Sequence, residues 1–254
     1  MTTNAPIALT YNGYVTQIAT MAVMTTQEVS GVVSGVDSQF NAILPQALNY
    51  AELRIQRDLD LLPSLTSNNY SLTTGNNILQ ISVNDFVTVQ TLFSNGVPLL
   101  TVSREYLQNV YGTNTLTGAP IFFSMVGGDQ STGGNTYNNI MVGPFPDQNY
   151  AISVYGTMRL PSLINYATNG PADTGTTFIS AHLPDLLIQA SMIYISQFQR
   201  NFGLAMGNDP QMPGAYEAQY EQLLKGAMTE EARKKFSSVE WTAYSPSPTA
   251  SLPR

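Results

Sequence analysis

The chain has no cysteine and a single histidine, His182. The first absence removes disulfides, thiolate metal sites and cysteine nucleophiles. The second leaves no zinc site of two or three imidazoles, and any serine–histidine–acid triad would have to use His182. Charge is scarce too: 11% of residues are Asp, Glu, Lys or Arg, against about 25% in an ordinary soluble chain. The 10 cations and 17 acids give a net charge of −7, with no concentrated basic face. That balance argues against wrapping nucleic acid by phosphate neutralisation. No run approaches the roughly 18 uninterrupted apolar residues of a membrane span. Residues Met1 to Pro6 lack the basic region of a signal peptide, so a soluble, non-exported protein is expected.

What is present is an ordinary apolar content, 43%, in 254 residues, so the chain is not a disordered one and can build one large core or two modest ones. Asn, Gln, Ser, Thr and Gly stand where a free surface would carry lysine and glutamate. Such a surface points first to coverage by partners, and otherwise to an unusually robust monomer, secreted or thermally tolerant.

Tyr14, Ile18, Met21 and Met24 share one face of a short N-terminal helix, and Gly31 to Gly35 reads as a loop or short extended piece. Asp37 or Ser38 then caps a stronger helix. From Ser38 to Leu62, Phe40, Ile43, Leu44, Ala47, Leu48, Ala51, Ile55, Leu59 and Leu62 recur at three and four, the pattern of a helix with one buried stripe. Pro45 either kinks this helix or marks its first regular turn, and Pro63 ends it.

From Leu65 to Met158 helical periodicity gives way to β-branched and aromatic runs between Gly, Asn and Pro signals. Strands are expected at 70–72, 78–81, 87–93, 121–126, 139–142 and 150–158, with a short helix at 103–111. Tyr150, Ile152, Val154 and Gly156 alternate with Ala151, Ser153, Tyr155 and Thr157, which predicts a half-exposed strand in an antiparallel sheet or small barrel. Residues 65 to 182 hold only seven charges besides His182, so this part least resembles a free surface.

A polar connection, Asn165 to Thr177, leads to a helix opening at Leu183-Pro184-Asp185. Leu187, Ala190, Tyr194 and Phe198 form one face, while Ile188, Met192 and Ile195 make the opposite side apolar, so the helix should be sandwiched. Tyr216, Tyr220, Leu223, Leu224 and Ala227 mark a last helix to about Phe236, antiparallel to it. Beyond it Pro246, Pro248 and Pro253 rule out further helix, yet this extended tail carries the only tryptophan, Trp241, and Tyr244.

None of the chemical candidates forms a motif. Gly127, Gly128, Gly133 and Gly134 lack the lysine of a P-loop and the spacing of a dinucleotide fingerprint, and read as a hairpin tip. Ser180 beside His182 has no orienting acid or oxyanion hole in view, so a capping or surface role is expected. Glu52, Asp58 and Asp60 on one helix could be an acid pair or cation site, but Arg54 stands four residues from Asp58 and an intrahelical ion pair is the simpler account. Arg233, Lys234 and Lys235 complement a helix C-terminus. A wall-degrading hydrolase using Glu52 is the enzyme alternative.

Taken in order, Leu44-Pro45, the run Ala51-Glu52-Leu53-Arg54-Ile55-Gln56-Arg57-Asp58-Leu59, Gly143-Pro144-Phe145-Pro146 through Tyr155, Arg159-Leu160-Pro161 and Leu183 to Leu187 resemble the head-to-tail adaptor, or connector, proteins of short-tailed bacteriophages, a group that includes tail tubular protein A. The resemblance spans roughly residues 38 to 236.

It implies an α+β fold: a helical ring-forming domain of residues 1–64 and 161–236, an antiparallel β-rich insertion of 65–160 facing tail components, and an extended tail of 237–254. It further implies a ring, typically of twelve copies, between the portal protein and the tail nozzle, often carrying fibres or spikes, with DNA passing through its lumen without sequence-specific binding. On this reading Trp241, Tyr244, Pro246 and Pro248 dock on the portal. Ala51, Ile55, Leu59, Leu187, Tyr194, Phe198, Tyr220 and Leu224 pack helices and form the ring wall. No catalytic residue, cofactor, metal or membrane is expected. Another tail or fibre-attachment protein of the virion is the alternative.

Overall fold

Thr10 opens the first helix, α1 (Tyr11–Met21), by accepting the Gly13 N–H on its hydroxyl at 3.2 Å. The helix closes in a Schellman turn: Val23 N–H donates to the Thr20 carbonyl at 3.2 Å and Met24 N–H to that of Ala19 at 2.8 Å. Met24 therefore lies beyond the helix whose face it was expected to share. The computed structural model describes residues 8–29, 32–82, 86–113, 116–130, 136–168, 175–202 and 212–236. Within it the chain divides into two units, Met1–Leu62 with Pro161–Arg254, and Pro63–Leu160.

In the first unit, β1 (Thr26–Val29) and β2 (Val32–Gly35) form an antiparallel hairpin. Sequence had shown only its second half, as a loop or extended piece. Its β2 edge is sealed by side-chain amides that imitate a strand: Asn12 accepts the Val33 N–H at 3.0 Å and Asn41 accepts that of Gly35 at 2.7 Å.

Asp37 caps α2 (Ser38–Asp58) through the N–H groups of Gln39 and Phe40. The helix is continuous through Pro45, which is therefore interior and not its first turn. It stops one turn before the expected Pro63: Leu59 turns extended, and both Leu59 and Leu61 are buried by leaving the helical path. After α4 (Asn165–Thr168), α5 (Phe178–His182) leads directly into α6 (Pro184–Phe202), which packs against α1, α2 and the long α7 (Met212–Phe236). Both apolar faces of α6 are buried, as its pattern requires: Leu187, Ala190 and Ile195 are fully inaccessible and Met192 nearly so.

The second unit holds two open four-stranded sheets instead of a barrel. One orders β3 (Leu65–Leu72), β10 (Tyr150–Thr157), β5 (Thr88–Ser94) and β6 (Val97–Pro98) side by side. The other orders β4 (Ile78–Ser82), β9 (Thr136–Gly143), β8 (Phe122–Gln130) and β7 (Leu100–Thr101). All pairings are antiparallel except the two-residue β7–β8 match, a parallel contact that the alternation could not reveal. Leu72, Leu92 and Ile152 of the first sheet and Ile81, Phe123 and Val142 of the second share one core with Phe86. The alternation in β10 holds residue by residue, with Tyr150, Ile152, Val154 and Gly156 inward. Gly156 sits at a bulge where any Cβ would collide with the Thr88 carbonyl. Gly127, at φ 121°, makes a second bulge within β8, so Gly127 and Gly128 are strand residues and not a loop tip. Gly133 and Gly134 lie outside the described residues. Ser103 caps α3 (Arg104–Tyr111), whose Leu107 is fully buried.

The Schellman turn of α1 contains the clearest local strain. Its left-handed position, normally glycine, holds Val23 at φ 56° with 91% of its surface exposed, so the β-branched side chain gains no packing in return. Val23→Gly is expected to raise the unfolding free energy by about 1 kcal/mol. Urea titration at constant m-value checks this, and an unchanged or lower midpoint would remove the strain argument.

Candidate functional site

The chain leaves the helical unit after Leu62 and re-enters it at Pro161. Each junction is held by a buried carboxylate. Glu231 of α7 accepts the Leu62 N–H at 3.0 Å, and Glu52 of α2 accepts the Leu163 N–H at 2.9 Å. Both side chains are almost wholly buried, at 4% and 2% exposure. Glu231 is neutralised by Lys234, whose ammonium stands 2.8 Å from it and 2.8 Å from Glu230. Glu52 has no cation beside it in any ion pair of the described residues. Burial pushes its carboxyl above the ordinary glutamate range, against the opposing pull of the Leu163 and Ser162 hydrogen bonds.

Arg54 forms the second cluster. Its guanidinium grips Glu217 of α7 through both nitrogens, stands 3.6 Å from Asp58, and lies over the Tyr220 ring at 4.3 Å. Tyr220 in turn donates its hydroxyl to Asp58 at 2.7 Å. The Arg54 hydrogen bond holds Glu217 below the usual carboxylate range, while burial and the Asp58 contact push the Tyr220 phenol up. The Arg54–Asp58 pair expected from spacing is present, but it is the longer and weaker of the two contacts. Asp60 does not share the helix as expected, because α2 ends at Asp58; it pairs with Lys235.

These groups are therefore joints between helices. Among the described residues no cluster of three His, Asp, Glu or Cys side chains could hold a metal ion. Ser180 is fully buried in a capping box, its hydroxyl accepting the Thr177 N–H at 2.9 Å. His182 ends α5 with its ring 4.7 Å from that of Phe178.

The helix-packing residues fall into place unevenly. Ala51, Ile55, Leu187 and Tyr220 are inaccessible and Leu59 nearly so, so they bind the unit's own helices to one another. Their buried side chains offer no surface to a neighbouring copy, so any share they have in a ring wall is internal packing. Tyr194 and Leu224 are half-buried, Tyr194 with its ring 5.2 Å from Tyr50. The Phe198 side chain lies outside the described residues, as do Trp241, Tyr244, Pro246 and Pro248. Sequence reasoning missed Glu217 and Glu231 as partners. Their contacts span 163 and 169 residues, a separation at which spacing carries no signal.

Carboxylates committed to backbone N–H groups and inter-helix pairs describe a scaffold, and comparison with known families agrees. The family model described as SU10 adaptor protein matches residues 16–246, nearly the whole chain. The chain belongs to the SU10 adaptor protein family. It is thus a structural adaptor of a phage, as the resemblance read from its helices and turns implied. No curated protein matches it.

In this adaptor Glu52→Gln should keep the Leu163 contact while removing the buried charge. A folded-state pKa above the unfolded value gives stability that is complete below the unfolded pKa and lost as pH rises through the folded one. The glutamine variant is therefore expected to gain on the wild type as pH rises above the ordinary glutamate range. Glu52→Leu, which strands the N–H, should cost about 1–3 kcal/mol. Unfolding free energies measured from pH 4 to 8 test both, and a pH-independent difference would refute the buried-charge account.

Proposed function

We propose that this adaptor forms a homo-oligomeric ring, of twelve copies, at the capsid vertex between the portal protein and the tail nozzle, and that DNA leaves the capsid through its lumen. The observation that carries this reading is the match to the SU10 adaptor protein model along residues 16–246. Physical features support it. A ring member meets a neighbour on each side and other components above and below, which accounts for a surface so poor in charge. A net charge of −7 also suits a channel along which a polyanion must slide, since each lysine–phosphate contact would add a salt-dependent hold.

In this arrangement the helical unit forms the ring, the β unit faces tail components, and residues 237–254 dock on the portal through Trp241, Tyr244, Pro246 and Pro248. The reaction-free chemistry of the helical joints fits a task of joining, with no cofactor.

A second reading, a tail or fibre-attachment protein, draws on the outer face of the β3–β10–β5 sheet. Its neighbouring rows Asn69–Ser153–Phe93 and Ser67–Tyr155–Thr91 carry no charge, and Tyr155 is 45% exposed. Electron microscopy of virions separates the two, by a ring at the vertex or density along the tail.

Native mass measurement of the purified chain with and without portal rings tests the leading reading. Twelve copies on each portal ring are expected, and loss of attachment without loss of folding on deleting residues 237–254. A chain that never joins the portal would overturn the ring, and a truncated chain that binds normally would overturn the tail's role.

A further inference from the structure

A groove of about 670 Å³ runs between the first half of α6 and the middle of α7. Asp185 and Glu230 line one end, with His182 beside them; Gln189, Gln219 and Gln222 line the other. Two features of this groove have no purpose among the described residues. Gly226 lines it, within a 25-residue helix, and beyond its chain neighbours and its own helix's backbone no described atom comes within 4 Å of where its Cβ would stand. A helix-interior glycine weakens the helix relative to alanine, and among the described residues nothing requires its smallness. The Gln189 side-chain oxygen is buried without a hydrogen-bond partner, an expense that proteins seldom leave unanswered.

The chain carries a ridge that fits this groove. On α2 the residues Ala42, Gln46, Asn49, Leu53 and Arg57 recur at four, three, four and four, and form one line of exposed or half-exposed side chains on the face opposite the buried stripe. Among the described residues Arg57 joins no ion pair. Gln46 to Arg57 and Gln219 to Glu230 cover the same length of helix, about 16 Å. With α2 laid parallel to α7 in that register, Arg57 meets Asp185 and Glu230, Leu53 crosses Gly226, and Asn49 and Gln46 meet Gln222 and Gln219. Charge answers charge and amide answers amide. Lys234 already offsets Glu230, which leaves Asp185 as the acid Arg57 would serve.

We infer that the α6–α7 groove of one copy receives the α2 ridge of a second copy of this chain. Ridge and groove are different surfaces of one subunit, so the contact is head-to-tail and can close into a ring. The inference rests on the proposed ring and names the surfaces that would close it.

Charge reversal tests it on the full chain assembled on portal rings and weighed by native mass spectrometry. Arg57→Glu and Asp185→Lys should each reduce the assembled fraction at least tenfold, and the double variant, which restores the pair across the interface, should recover most of it. Gly226→Leu fills the groove without altering charge and should block assembly while the isolated chain melts no lower than the wild type. That variant decides the matter should Asp185→Lys fail to fold. Complete rings from Arg57→Glu and Gly226→Leu would overturn the groove assignment and leave the ring standing. Failure of the wild type to form rings would overturn both.

Discussion

A helix that is apolar on two faces must be covered on both, and α6 imposes that requirement on the helical unit. Leu186, Leu187, Ala190, Met192, Ile193 and Ile195 are all buried, which leaves the water-facing positions to Asp185 and Gln197. The unit meets the demand by bringing α1, α2, α5 and α7 to it, elements drawn from both ends of the sequence. The polar groups that α1 and α6 bring to their contact satisfy one another. The Tyr14 hydroxyl donates to Ser191 at 3.0 Å, and Ser191 donates to the Leu187 carbonyl at 2.8 Å. Burial raises the Tyr14 phenol above its ordinary range, so this contact stays neutral at any physiological pH.

Enclosure alone would leave the chain crossings loose, and this is where the scarce charges are spent. Exposed ion pairs are worth little, so their number decides nothing. What matters is position. Arg54 grips Glu217 while stacked on Tyr220, and ties α2 to α7 by geometry that a flexible surface lysine could not reproduce. Glu52 and Glu231 accept backbone N–H groups where the chain enters and leaves the unit, at points where no helix or strand ladder supplies an acceptor. A chain with only 10 cations uses Arg54 to join α2 to α7, Lys235 to tie α7 to Asp60 just beyond α2, and Lys234 to neutralise the buried Glu231 of its own helix.

Periodicity made most of this architecture legible. The α2 stripe, the double face of α6 and the alternation in β10 were readable because each records burial on a fixed repeat. Features that depend on partners distant in sequence were not. The early end of α2 is set by burial of Leu59 and Leu61, and the role of Glu52 is set by Leu163, 111 residues away. The hairpin from Thr26 was half-hidden because β2 is finished by Asn12 and Asn41, residues of two helices, and so needs no long alternating run of its own. Beside α2, the acids that looked available for catalysis were legible as residue types but not as contacts.

The same limit explains why a buried stripe does not by itself identify an assembly surface. Ala51, Ile55 and Leu187 are conspicuous in sequence because they repeat, and they repeat because their own unit buries them. A contact between copies has to be made from what that burial leaves over. On α2 this is the line from Ala42 to Arg57, which has no strong hydrophobic pattern and carries one cation, Arg57, that joins no ion pair among the described residues. In a monomer such a line would be populated by lysine and glutamate at little cost, because surface positions tolerate them freely. Its occupation by Ala, Gln, Asn and Leu, opposite a groove lined by glycine, is information of a different kind: a position kept short or uncharged where the fold itself demands neither. For an adaptor, whose work is to be held between other molecules, these omissions carry more of the function than the core does.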